Sequence, residues 1–359
     1  MGIFDNMLKS GESLFINPIA LEYDYQPKIV PFREQEMRQV AYSMKPLFQQ
    51  RNGSNLIVFG PPGVGKTAAC RHLLQEIEEQ SEDIIPIYIN CWQRNTSFKV
   101  ILAICDALGY RFTQNKRSEE IFFEIKKLIN KKAAVFVFDE IDKAEDFDFL
   151  YSILEEIYRK SVILIVNYKD WLSSMDERLR SRLIAGFVEF RPYNLTETRG
   201  ILKQRIEYAF AKNVWEESAI EEIAKKTAEL ADIRTGLYLL KEAGEIAESK
   251  SSKRITEEHA LSAIEVIDEF SIKDPKELEE EMQLILKSIK GNSGKKIGEI
   301  YRAYQDAGGK MVYKTFQRKV KKLEQGKFIT TNSIAGGAEG KTTIISSKSA
   351  KEEKKLSDF

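Results

Sequence analysis

The chain predicts three parts: an α/β phosphate-loop domain on a parallel sheet, a small all-helical domain, and a C-terminal winged helix-turn-helix. Three observations carry this. FGPPGVGKTAAC (residues 59–70) holds a phosphate-binding loop between an apolar run and a helical pattern. Before Pro192, continuous β-branched runs alternate with helical patterns, which implies a parallel sheet covered by helices. After Pro192 the strand-like runs stop, and they return only near the C-terminus, around a glycine-rich turn.

The predicted strands are NLIVF (55–59), IIPIYI (84–89), AAVFVF (133–138) and SVILIV (161–166). Each is continuous rather than alternating, as strands buried on both faces should be. FVEF (187–190) reads as a fifth. Helical patterns such as TAACRHLLQEIEEQ and SEEIFFEIKKLIN lie between them, so residues 1–192 form one nucleotide-binding domain. Residues 193–269 read as helices only. TETRGILKQRIEYAFA opens with a Thr cap and a Glu in its first turn, and three more helical patterns follow. FSIKDPKE, with Pro275, gives a linker at 270–277. Residues 278–346 hold three amphipathic helices and then FITTNSIAGGAEGKTTIIS, two strands around a turn. The polar tail 347–359 is expected to be disordered.

Composition excludes several classes. Of 359 residues, Lys+Arg and Asp+Glu number 55 each, so the mean charge points to no partner. No apolar run is long enough for a membrane span, and MGIFDNMLKS lacks the pattern of a secretory signal. Asn6 stands where a myristoylation signal needs Ser or Thr. Cys70, Cys91 and Cys105 form no C-x-x-C pair, which argues for a reducing cytoplasm and against zinc. His72 and His259 are too few for a histidine metal centre and read as helix-surface residues.

The loop satisfies G-x-x-x-x-G-K-[ST] through Gly60, Gly65, Lys66 and Thr67, with Pro62, Gly63, Val64 and Ala68 completing the cradle. Its backbone N–H groups would face the phosphates, Lys66 would reach the β- and γ-phosphates, and the Thr67 hydroxyl would ligate Mg²⁺. VFVFDE ends a strand in two acids: Asp139 is placed to hold Mg²⁺, and Glu140 to act as general base on the attacking water. Asn167 ends the next strand at the same sheet edge and could orient that water. DERLRSRL carries Arg178, Arg180 and Arg182, any of which could reach a neighbouring subunit's γ-phosphate or simply pair with Asp176 or Glu177. Arg234, at a helix start in ADIRTG, is a candidate contact in cis.

Residues 310–327 hold seven basic residues and one acid, a net +6 in a neutral chain. They fall on the third helix of the predicted helix-turn-helix, the helix expected in the major groove. Lys310, Lys314 and Lys321 lie along one side beside Gln317 and Arg318. Arg and Gln can read base edges, while Lys usually meets phosphates. Gly336 and Gly337, with Lys341, would let the wing turn AGGAEGK press against a sugar-phosphate chain.

From about Leu21 to Ser346 these motifs resemble the archaeal origin-recognition/cell-division-control replication initiators of the AAA+ class. YQPKIVPFREQEM resembles the segment that wraps the adenine, and GPPGVGKTAA and VFDEID resemble the two Walker motifs. INCWQRNTSFKVILAICDALG resembles the helix that initiators insert between those motifs. LIVNYKDWLSSMDERLRSRL resembles the first sensor and the arginine helix. ADIRTGLYLLKEAGEIA resembles the second sensor, with Ala231 where that family has glycine. The resemblance implies an AAA+ P-loop domain, a helical lid and a winged helix, and an ATPase using ATP/ADP and Mg²⁺. It implies Tyr193 and Arg205 at the nucleotide, Arg182 acting in trans, and Lys99 of the inserted helix at a minor groove. It implies double-stranded origin DNA, the replicative MCM helicase, and identical or paralogous initiator subunits as partners. Rival readings are a transcription or partition regulator, a Holliday-junction branch-migration motor, and a clamp-loader subunit, although that last family ends in a helical collar.

Overall fold

All five apolar runs become strands of one parallel sheet in the computed structural model, which describes residues 13–271, 280–309, 311–325, 329–334 and 342–347. The strands are β1 (Asn55–Phe59), β2 (Ile84–Asn90), β3 (Ala133–Asp139), β4 (Lys160–Val166) and β5 (Ala185–Glu189), in the order β2-β3-β4-β1-β5. β3 and β4 are buried throughout. β2 departs from the expected two-faced burial and is only partly buried; β5, at the other edge, buries Val188 alone. An edge strand lacks a neighbour on one side, and the covering helices reach it less completely.

The intervening helices are α1 (Glu34–Met44), α2 (Lys66–Gln80), α3 (Ser97–Ala107), α4 (Ser118–Ile129), α5 (Asp148–Glu156) and α6 (Glu177–Leu183). Two apolar clusters sandwich the sheet. Ala69, Cys70, Leu73 and Ile77 of α2 pack with Val135, Val137, Ile163 and Ile165 on one face. α3, α4 and α5 pack with Phe136, Phe138, Val162 and Leu164 on the other. Alternate strand residues therefore serve opposite faces, as the pleat requires.

The helical region comprises α7 (Leu195–Ala209), α8 (Glu217–Leu230), α9 (Ile233–Ser249) and α10 (Glu257–Ser271). The cap of α7 is Asn194, not the expected threonine. Asn194 Oδ1 accepts from Glu197 N (2.9 Å), and Glu197 Oε2 accepts from Asn194 N (2.9 Å). This reciprocal box satisfies two orphan donors, which moves the helix start ahead of Thr196. His72 pairs with Glu76 on α2 at 3.2 Å. His259 is not a surface residue: it is 5% exposed, and its Nδ1 accepts from Thr256 N (3.1 Å) at the start of α10.

The chain divides into two compact units, Met1–Ile264 and Glu265–Phe359. The second contains α11 (Glu280–Gly291), β6 (Lys295–Lys296), α12 (Ile297–Asp306), α13 (Tyr313–Gln325), β7 (Ile329–Ile334) and β8 (Thr342–Ser347). The sheet is three-stranded and antiparallel, in the order β6-β8-β7, one strand more than the expected hairpin. β6 is a two-residue Lys-Lys segment and carries no apolar signal. Ile285, Ile289, Ile300, Tyr304, Phe316, Val320, Leu323 and Ile345 form the unit's core. The α12–α13 turn depends on Gly309, where a Cβ would run into the Tyr304 ring. The expected linker lies largely outside the described residues, and the expected tail lies outside them from residue 348 on.

Candidate functional site

The phosphate loop runs from the end of β1 into α2, and its shape is set by its neighbours. Gly63 sits at φ 76° and Gly65 at φ 89°, both in the left-handed region. A Cβ on Gly65 would stand 2.7 Å from the Tyr193 hydroxyl, so Tyr193 borders the loop. Lys66 folds back across the loop: its Nζ donates to Gly60 O (2.6 Å), Pro61 O (2.8 Å) and Asn167 Oδ1 (3.1 Å). Burial pulls the Lys66 ammonium down to about 8, against the opposing pull of Asp139. The lysine is held over a ring of carbonyls, where a phosphate oxygen would be a better partner. Val64 is buried, Pro62 lies exposed at the loop tip, and the Ala68 carbonyl accepts from Gln26 Nε2 (2.9 Å).

The acids stand where β3 ends. Asp139 Oδ2 accepts from Thr67 Oγ1 (2.6 Å) and Tyr88 OH (2.8 Å), while Oδ1 accepts from Glu140 N (3.0 Å). Thr67 and Asp139 therefore meet as a hard-cation pair of ligands would. Glu140 takes a left-handed conformation at φ 53°. Its carboxyl is raised above the usual range by burial and then by Asp139, and Arg234 opposes the shift. Among the described residues, no cluster of three or more His, Cys, Asp or Glu could hold a metal.

The helical region closes on the loop directly. Ile233 N donates to Gly63 O (3.4 Å). A Cβ on Gly63 would overlap the Asp232 carboxylate and stand 2.9 Å from its Cα. Asp232 caps α9 by accepting from Arg234 N (2.9 Å), and the Arg234 charge lies near enough to act on Lys66 and Glu140. Ala231 adopts the left-handed conformation, φ 55° and ψ 28°, that glycine would otherwise supply.

Other predicted residues stand elsewhere. Arg205 is buried and donates to Ala20 O (3.2 Å), with its guanidinium 5.1 Å from the Tyr25 ring. It holds the N-terminal segment rather than the loop itself. Arg178, Arg180 and Arg182 are all exposed. Arg182 pairs with Glu155 of α5 and lies 4.9 Å over the Tyr151 ring, so its partner is neither Asp176 nor Glu177. Lys99 is exposed on α3 and donates to Asn95 Oδ1 (2.8 Å). On α13, Lys314, Gln317, Arg318 and Lys321 are exposed, while Phe316, Val320 and Leu323 are buried on the opposite side. Lys310, Gly336, Gly337 and Lys341 lie outside the described residues.

Pattern reading does not single out Arg33. It is 2% exposed, and its Nε donates to Val64 O (3.0 Å). Its Nη2 donates to Arg191 O, and its guanidinium stacks 3.7 Å over the Tyr193 ring. One cation thus ties the loop to the chain leading into α7. In the sequence it stands within the stretch YQPKIVPFREQEM, with no motif to mark it.

A parallel sheet in this order, a Gly-Lys-Thr loop backed by paired acids, and a helical region closing over it define an AAA+ ATPase. Residues 49–170 match the AAA domain, and residues 199–265 match the Cdc6 AAA+ ATPase-type lid domain. The chain is 30% identical over 334 residues to the ORC1-type DNA replication protein 1 of Archaeoglobus fulgidus, covering 87% of this chain and 81% of that one. It is 31% identical over 330 residues to the ORC1-type DNA replication protein of Pyrococcus abyssi, covering 85% and 78%. The solved structure of the Aeropyrum pernix ORC1 protein in complex with DNA superposes with a TM-score of 0.70 at 28% identity, covering 94% of this chain and 95% of that one. The chain belongs to the ORC1-type DNA replication protein family. Membership in the AAA+ class supports ATP or ADP binding at the loop and an ATPase activity. Among the described residues, no helix is long and apolar enough to cross a membrane.

Proposed function

We propose that this chain is an ATP-regulated replication initiator that binds double-stranded origin DNA and helps recruit or load the replicative MCM helicase. ATP binding and slow hydrolysis would be its switch. The observation that carries the DNA-binding half is the exposed row Lys314, Gln317, Arg318 and Lys321 on α13, backed by a buried apolar face. Three helices with a three-stranded sheet support the reading of a winged helix-turn-helix, in which α13 would be the helix offered to a major groove. The Aeropyrum pernix relative, solved in complex with DNA, supports the same reading.

For the switch, Lys66 and the loop N–H groups bind the phosphates, and Thr67 and Asp139 hold Mg²⁺. When bound, that cation neutralises charge on the β- and γ-phosphates. Glu140 accepts the proton of the attacking water, Asn167 orients that water, and Arg234 answers the phosphate charge from α9. Arg182 acts on a neighbouring identical or paralogous subunit. The domains we assign are 1–192 for the nucleotide, 193–269 for the lid and 278–346 for DNA, in a cytoplasmic, nucleoid-associated protein.

Fluorescence anisotropy on origin and scrambled duplexes at several salt concentrations tests the DNA assignment. Lys321→Ala should weaken all duplexes alike and lower the salt slope by about 1. Arg318→Ala should cost about 1–3 kcal/mol on the preferred site and less on scrambled duplex. Unchanged duplex affinity after removal of residues 278–359 would transfer the role to α3 and Lys99.

A further inference from the structure

We infer that Tyr88 is a positioning residue for divalent-cation binding: with Arg71 behind it, its hydroxyl fixes the orientation of the Asp139 carboxylate. The inference rests on the proposed Mg²⁺ role of Thr67 and Asp139.

The placement follows from register. β2 pairs in parallel with β3, with Tyr88 opposite Val137 and Asn90 opposite Asp139. Tyr88 therefore shares a sheet face with Val137 and Asp139, diagonal to the carboxylate and within reach of a long side chain. That face is covered by α2, because Val137 packs with Ala69, Cys70 and Leu73. On α2, Thr67 and Arg71 are four residues apart and point to the same side. Thr67 reaches Asp139 at 2.6 Å, and the Arg71 guanidinium lies 4.1 Å over the Tyr88 ring.

Asp139 is only 3% exposed. A buried carboxylate must be satisfied by donors, and here they come from three elements: Thr67 on α2, Tyr88 on β2 and the Glu140 N–H beyond β3. The Glu140 N–H holds Oδ1, but with Thr67 as its one other partner Oδ2 would lose its anchor once the Thr67 hydroxyl turned to a cation. The Tyr88 hydroxyl grips the same Oδ2 from the strand side and keeps it in place. The ring in turn is held flat by Arg71. Partners of this kind orient a cation's ligands, and their loss typically weakens metal binding about 10–100-fold.

The test is a MgCl₂ titration of binding of a slowly hydrolysed fluorescent ATP analogue to full-length protein. Tyr88→Phe removes only the hydroxyl. The Mg²⁺ concentration at half-maximal effect should rise about tenfold, while analogue affinity in EDTA stays within about twofold of the parent. Arg71→Met, which keeps the hydroxyl and unstacks the ring, should shift the midpoint in the same direction by less, and it serves if Tyr88→Phe does not fold. Asp139→Asn is the control. If Asp139→Asn raises the midpoint and neither other variant does, the Tyr88 role is wrong and the metal role of Asp139 stands. If Asp139→Asn leaves the midpoint unmoved, the metal role fails and the Tyr88 inference falls with it. An equal loss of affinity in EDTA and in Mg²⁺ for Tyr88→Phe would reduce the tyrosine to a packing residue.

Discussion

Replacing Gly63 by alanine tests whether the helical region acts on the loop through direct contact. Gly63 holds φ 76°, its carbonyl accepts the Ile233 N–H, and its missing Cβ leaves the space that the Asp232 carboxylate occupies. Alanine in the left-handed region costs about 1–2 kcal/mol. Stiffening the unfolded chain returns about 0.4–1 kcal/mol. Displacing Asp232 also removes the cap on Arg234 N, worth about 1 kcal/mol. The net loss of stability is about 1–2.5 kcal/mol, modest against the 5–15 kcal/mol typical of a folded protein. The effect on hydrolysis should be far larger. With the start of α9 pushed off, Arg234 is misplaced, and an error of about 1 Å at a reacting group costs about 10²-fold. Gly63→Ala should therefore fold, bind ATP with reduced affinity, and hydrolyse it about 100-fold more slowly in a single-turnover phosphate-release assay. In an Asp232→Gly background the overlap with the carboxylate is gone, and the added effect of Gly63→Ala should shrink to the backbone strain and the remaining 2.9 Å approach to the Cα of residue 232. Turnover of Gly63→Ala within about threefold of the parent would refute the coupling.

Glu140→Gln should keep ATP affinity and lose hydrolysis by about 10²-fold or more, whereas Lys66→Ala should lose the nucleotide itself; filter binding and phosphate release separate the two. Lys66 is held at about 8 in the free protein, below its unfolded value, and phosphate binds its charged form. ATP affinity should thus be level below pH 8, fall about tenfold per unit above it, and show proton uptake by calorimetry in buffers of different ionisation heat. The sign for stability is the opposite, because the depressed lysine penalises folding while protonated, and that penalty fades from about pH 8 toward 10.5. Ala231→Gly should stabilise the fold by roughly 0.5 kcal/mol in chemical denaturation, since relief of the left-handed alanine slightly exceeds the glycine's added unfolded freedom. Arg182→Ala should leave ATP affinity unchanged and abolish any dependence of turnover on protein concentration, and a parent turnover already independent of concentration would end the trans role.

Much of this molecule was legible in the sequence, for a local reason. Strands buried on both faces must be apolar at every position, so β3 and β4 were written as continuous runs. The loop's left-handed turns require glycine wherever they occur, so Gly63, Gly65 and Lys66 announced their site. Asp139 and Glu140 followed because parallel strands deliver their ends to one edge of a sheet. β2 was overstated as buried, since a side chain does not record whether a neighbour covers it. The cap of α7 was misplaced because Asn194 and Thr196 are both good caps, and only the reciprocal bond with Glu197 chooses between them. Ala231 was visible as a departure from its family, and tertiary packing alone decided that the alanine accepts the left-handed turn. The contacts that make the site a unit were not legible at all. Arg33 meets Val64 across 31 residues, and Tyr88 meets Asp139 across 51. No periodicity links such positions, because a buried cation or hydroxyl chooses its partner by distance in space, and that distance exists only once the sheet and helices have packed.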